Sequence, residues 1–191
     1  MHTTSTIRQL AAALAALSCL VAQPAAAELK SGDPAPAFEA DATLAGQPYR
    51  FILGDALKKG PVVLYFYPKA FTKGCTIEAN AFAEASPQYE AMKATVIGVS
   101  GDSVDTLKKF SVTECRNRFA VASDPAGKIM KSYDASMPFV EGYAKRISYV
   151  ISPQGRVVYA WSSMSPDEHV PNTLAALRRW IEQQSQPSGG K

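Results

Sequence analysis

The chain has 191 residues, with 47% hydrophobic and 19% charged side chains and a formal net charge of +3. This length and composition suit one globular domain with a sizeable core and argue against a disordered chain. The small net charge gives no electrostatic case for nucleic acid or a membrane surface as partner.

The first 27 residues stand apart. Arg8 precedes a compact apolar stretch over residues 10–22, Gln23 and Pro24 break it, and Ala25, Ala26 and Ala27 offer a small-residue cleavage site before Glu28. This is the layout of a secretory signal peptide, with an uncleaved anchor or a lipoprotein acylated at Cys19 as the alternatives. The expected organisation is a signal peptide over 1–27 and a single domain over 28–191, frayed over 186–191, exported to the periplasm. Cleavage removes Cys19 and leaves Cys75 and Cys115. In an oxidising compartment such a pair serves either as a disulfide or in catalysis.

In chain order, residues 38–44 alternate apolar and polar, a turn follows at 45–48, and residues 49–53 return, which predicts a β-hairpin. Residues 54–60 read as a polar connection. Residues 61–67 are apolar without alternation, as in a strand buried on both faces of a parallel sheet. Helical spacing resumes with Ile77, Ala81, Phe82 and Ala85, and Pro87 is expected to kink or end that helix. A second buried strand is expected over 95–100, a helix from Val104 to about Cys115 capped at Asp102–Ser103, a third strand over 118–123 and a short helix ending near Tyr133. A second hairpin spans 144–152 and 156–161, and Val170, Leu174, Leu177 and Ile181 mark a last helix. Strands alternating with helices, closed by an antiparallel pair, predict a thioredoxin-like three-layer α/β/α domain with a mixed sheet and an N-terminal hairpin.

Cys75 falls where the buried strand hands over to a helix. Unpaired amides and the macrodipole at a helix start favour a thiolate. By position alone the residue is either a redox nucleophile or an inert buried cysteine. Pro68 fixes the backbone entering the loop and shields the sulfur, and the Thr72 hydroxyl can turn to the same pocket. If residues 145–152 pair antiparallel with residues 61–67, Arg146 comes to lie near Cys75. His169 stands alone near a helix start and reads as a surface or packing residue. No His/Cys cluster suggests a metal, and no cofactor is called for.

Pro68-x-x-x-Thr72-x-x-Cys75 after a buried strand resembles the peroxiredoxins. Tyr65-Phe66-Tyr67-Pro68-Lys69, with Gly74-Cys75-Thr76 and Glu78-Ala79, looks like their Q-type subfamily, the bacterioferritin comigratory proteins. The likeness continues through Val99-Ser100, Asp102-Ser103, Ser123-Asp124-Pro125 and Ala144-Lys145-Arg146. It implies a thiol peroxidase acting on hydrogen peroxide and organic hydroperoxides. Cys75 is then the peroxidatic cysteine, Pro68 and Thr72 its pocket partners and Arg146 the essential arginine. It also implies a sulfenic acid on Cys75, a thioredoxin-like protein or small thiol as reductant, and a monomer. The departure is Asn80, which occupies the place where many Q-type members carry their resolving cysteine. Cys115 is the remaining candidate, approximately where other members place theirs. The alternatives are a one-cysteine enzyme or a thioredoxin-like redox sensor. A disulfide oxidoreductase is disfavoured because no Cys-x-x-Cys is present.

Overall fold

The computed structural model describes residues 28–185. The signal peptide and the frayed tail expected at the two ends lie outside the described residues. The elements are β1 (Glu39–Leu44), β2 (Gln47–Ile52), α1 (Leu53–Leu57), β3 (Val62–Phe66), α2 (Lys73–Ala91), β4 (Thr95–Ser100), α3 (Val104–Thr113), β5 (Ala120–Ser123), α4 (Lys128–Ser132), β6 (Ile147–Ile151), β7 (Val157–Ser162) and α5 (His169–Ser185).

One seven-stranded mixed sheet has the order β2-β1-β5-β4-β3-β6-β7. β3, β4 and β5 run parallel, and β6 pairs antiparallel with β3. The unbroken apolar run of β3 has a direct cause. Val62, Leu64 and Phe66 enter a core with α1 and α4, while Val63, Tyr65 and Tyr67 enter a second core with α2, α3 and α5. Every residue of β3 is therefore buried, and no face is left for a polar alternation. This is the three-layer α/β/α arrangement expected from the sequence. No helix among the described residues is long and apolar enough to cross a membrane.

Two expectations are corrected. Residues 53–57 form a short helix rather than a polar connection, because Leu53, Ala56 and Leu57 share one buried face. Of the kink or end expected at Pro87, the end does not occur: helix α2 runs through it to Ala91. The missing N–H is outweighed by the packing on both sides of it: Phe82, Ala83, Ala85, Ser86 and Tyr89 are all buried, and the Tyr89 hydroxyl ties the helix to Thr173 of α5 at 2.8 Å. That tie keeps α5 beside α2, which matters for the site below.

Candidate active site

The parallel strands β3 and β4 end at Phe66 and Ser100, and the antiparallel β6 begins beside Phe66, with Phe66 opposite Ile147. Open α/β sheets place their sites at the carboxyl ends of the parallel strands. The antiparallel register brings the residue before β6, Arg146, to the same edge as the loop leaving β3. Arg146 Nη2 donates to Cys75 Sγ at 3.4 Å across 71 residues of sequence.

The loop carrying the pocket is held from below. Tyr67 N–H extends the ladder to Val99 O at 3.2 Å, and Ala70 N–H donates to the Asp102 carboxylate at 2.7 Å. Ser100 Oγ donates to the same carboxylate oxygen at 2.8 Å. Phe71 adopts a left-handed backbone with φ of 64°, a conformation that needs support from its surroundings. Its ring supplies that support edge-on to Phe110 of α3, with centroids 5.2 Å apart. Pro68 is half-buried at the head of this loop.

Cys75 lies in the first turn of α2 and is 1% exposed. The helix starts at Thr72 without a side-chain cap and has no acidic residue in its first turn. The first amides are therefore open to an anion. Gly74 leaves room for the guanidinium, since a Cβ there would stand a tight 3.0 Å from Arg146 Nη2. Thr72 precedes the helix as its N-cap residue. Its hydroxyl donates to Lys69 O at 3.0 Å, so what it offers to the pocket is an acceptor oxygen.

Arg146 is oriented by three partners. Nη1 donates to Glu78 Oε2, Nε donates to Met164 O at 3.1 Å, and Nη2 reaches the sulfur. Arg146 is 4% exposed and Glu78 wholly buried. Burial opposes the arginine's charge, but Glu78 and Cys75 outweigh it and its pKa is raised. Burial pushes the Glu78 carboxyl up to about 8, with the Arg146 charge pulling the other way. His169, read from sequence as a surface or packing residue, is completely buried and lies 3.7 Å from Glu78 Oε1. Burial lowers its pKa.

Cys115 sits just past the end of α3, fully buried and unpaired. Burial first, and the adjacent Glu114 second, push its thiol far above the ordinary range. Asn80 spends its amide on Thr76 O at 2.9 Å and reaches Glu114 at 3.5 Å. Among the described residues no cluster of three His, Cys, Asp or Glu side chains is placed to hold a metal.

Sequence reasoning gave none of Glu78, Asp102, Ser148 and His169 a role in the site: Glu78 entered only as part of the family resemblance, Asp102 there and as a helix cap, and His169 as a surface or packing residue. Only Glu78 left a usable signal. It follows Cys75 by three and precedes Phe82 by four, so all three share one helix face. A carboxylate on an apolar face requires a partner.

Residues 31–160 match the AhpC/TSA family. The chain belongs to that family, as a thiol peroxidase of the Q-type peroxiredoxin branch. The chloroplastic peroxiredoxin Q of Triticum aestivum is 33% identical over 137 residues, which cover 71% of this chain and 63% of that protein. The crystal structure of the peroxidoxin BcpB from Mycobacterium tuberculosis superposes with a TM-score of 0.71 at 33% identity, covering 80% of this chain and 98% of its own. The Xanthomonas campestris bacterioferritin comigratory protein, a structure concerned with alkyl peroxide reduction, gives a TM-score of 0.66 at 28% identity, covering 75% and 91%.

Proposed function

We propose that Cys75 is the peroxidatic cysteine and reduces hydrogen peroxide and organic hydroperoxides. The observation that carries this is the Arg146 guanidinium against Sγ at an uncapped helix start. The thiolate attacks one peroxide oxygen in line with the O–O bond. A sulfur–oxygen bond forms, the O–O bond breaks, and the second oxygen leaves as hydroxide or alkoxide, to be protonated. The remaining Arg146 N–H groups and the first amides of α2 stabilise that departing charge. Thr72 accepts from the peroxide hydroxyl, and Pro68 limits water at the sulfur. Cys75 is left as a sulfenic acid. Alkyl peroxides as the organic class are supported by the Xanthomonas relative.

Recycling runs through Cys115. Its thiol captures the sulfenic acid, a disulfide forms and water leaves. Both cysteines and the rings of Tyr65 and Tyr67 belong to one apolar core. Pairing requires the first turn of α2 and the end of α3 to unwind until the Cα atoms come within about 7 Å. A thioredoxin-like protein or small thiol then reduces the disulfide. The second reading, direct reduction of a one-cysteine enzyme, is favoured by the complete burial and raised pKa of Cys115. In either case the domain over 28–191 works as an exported monomer in the periplasm after loss of residues 1–27.

The test is stopped-flow oxidation of the pre-reduced protein by hydrogen peroxide and by a small alkyl hydroperoxide, with Cys75→Ser as control. Oxidation no faster than that of a free thiol removes the peroxidatic reading. Mass analysis after one equivalent of peroxide separates the recycling routes: an intramolecular disulfide supports Cys115, and a persisting sulfenic or sulfinic acid supports the one-cysteine route. Export is read from the N-terminal residue of the protein recovered from periplasm, with Glu28 expected.

A further inference from the structure

Behind Arg146 lies a second layer of buried polar groups that the reaction as drawn does not use. Ser148, His169 and Glu78 are each fully buried. His169 Nε2 stands 2.9 Å from the Ser163 carbonyl, which can only accept, so this nitrogen carries a hydrogen. The neutral ring then presents Nδ1 as an acceptor, and Ser148 Oγ donates to it at 2.8 Å. That commits the serine hydrogen. Glu78 Oε1 faces the same Nδ1 at 3.7 Å and has no hydrogen-bond partner. A buried carboxylate oxygen without a donor is costly, and a proton on Oε1, which neutralises the carboxyl, reduces the cost.

Charge balance gives that proton a purpose. Arg146 is one cation set between two groups that can be anionic, Cys75 and Glu78. With both ionised the cluster holds an excess negative charge in a buried site. One proton on the glutamate–histidine pair cancels it and frees the Arg146 charge for the sulfur. Once Cys75 is a neutral sulfenic acid, Arg146 and Glu78 balance alone. The charged and titratable groups facing the pair are Cys75 on α2, Tyr65 on β3 and Arg146 beside β6, with Ser148 on β6 and the Ser163 and Met164 carbonyls completing the polar surround. Asp167 and Glu168 are exposed.

We propose that Ser148 and His169 are positioning residues of the peroxidatic site which, with Glu78, hold a single buried proton while Cys75 is a thiolate and release it when Cys75 is oxidised. The inference rests on Cys75 being the peroxidatic cysteine. The balance is closed: thiolate, hydroperoxide and the stored proton give sulfenic acid, alcohol or water, and the deprotonated pair. The proton leaves to solvent as the departing oxygen takes one up. Burial pushes the Glu78 carboxyl up and the His169 ring down, so the proton rests on Glu78 while the ring stays neutral beside it.

The test is NMR of the full chain with ring-labelled histidine, its two histidines distinguished with His169→Gln. In the reduced protein the His169 ring nitrogens should report a titration whose midpoint falls by about one pH unit or more in Cys75→Ser, which lacks the thiolate. The same midpoint in both proteins overturns the inference. A second readout is the pH profile of peroxide oxidation. Loss of the proton should give the wild type a falling alkaline limb, and Ser148→Ala and His169→Gln should move that limb to lower pH by about one unit. A uniform rate loss at every pH is the mark of a merely structural role and also overturns it. Failure of Cys75 to outpace a free thiol would remove the peroxidatic reading itself. An unmoved His169 midpoint in a protein that does consume peroxide removes only the stored proton.

Discussion

Cys75 and Cys115 are equally buried, belong to the same apolar core and flank helices on the same face of the sheet. Their electrostatic surroundings are opposite. Cys75 lies in the first turn of α2, at the positive end of the helix dipole, with a guanidinium on its sulfur. Cys115 lies just past the C-terminus of α3, at the negative end, beside Glu114, with its thiol held protonated by burial. Burial alone disfavours a thiolate, so what separates the two cysteines is the charge delivered to each.

The comparison is broken most directly by exchanging which sulfur is present. Cys75→Ser should abolish rapid peroxide consumption. Cys115→Ser should leave the first oxidation step within about twofold of wild type, because its sulfur takes no part in the attack. A large loss in that variant would mean that the two sites are coupled before any disulfide forms. Stopped-flow oxidation measures both.

Next in size is the cation. Arg146→Met keeps bulk and removes the charge, and peroxide oxidation should slow by about 10²–10³-fold, the usual weight of one transition-state donor in a dry site. Modification of Cys75 by a thiol reagent should slow as well, bringing it toward Cys115. Equal labelling rates for the two cysteines in the wild type would contradict the distinction drawn between them.

Glu78 tests how the cation is held. Glu78→Ala leaves a buried arginine unpaired and should cost about 3–5 kcal/mol in denaturant unfolding. Glu78→Gln keeps an acceptor oxygen for Arg146 and should cost less. The pH dependence has a definite sign. A carboxyl raised to about 8 from 4.5 binds its proton more tightly in the folded state. Its contribution is fully present below about 4.5 and is lost as pH rises through about 8. His169 acts in the opposite sense, its lowered pKa removing stability as pH falls through and below its ordinary 6.5. Unfolding free energy of the wild type should therefore fall relative to Glu78→Gln as pH rises across the window from 4.5 to 8, and a flat difference would refute the buried carboxyl.

A smaller loss than that of the cation is expected at the loop support. Asp102→Asn weakens the bonds to Ala70 N–H and Ser100 by removing their charge assistance, and should slow oxidation by roughly tenfold through a looser pocket, with little change in Km for the reductant.

Much of this was legible in order of sequence distance. The run at 61–67, the strand-to-helix position of Cys75 and the alternation of strands and helices are local patterns, because strand and helix periods are written into neighbouring residues. Arg146 was reachable by a further step, since an antiparallel partner for β3 forces its start to the end of that strand. The continuation of α2 past Pro87 was not legible, because the local cost of proline is outweighed by contacts with α5 and the sheet. Thr72 was legible as a neighbour of the site, but the direction of its hydroxyl was not, since that depends on the fold of the loop returning Lys69 O to it.

By itself the sequence determined the class of fold, the family and the place of the candidate cysteine at a helix start, since each is carried by residues close together in the chain. Only the tertiary structure decided what surrounds that sulfur. Glu78, Ser148 and His169 come from α2, β6 and α5, and no local pattern records that they meet. They meet because the packing of α5 on α2 and the sheet brings three polar groups into one apolar interior, where each must find a partner.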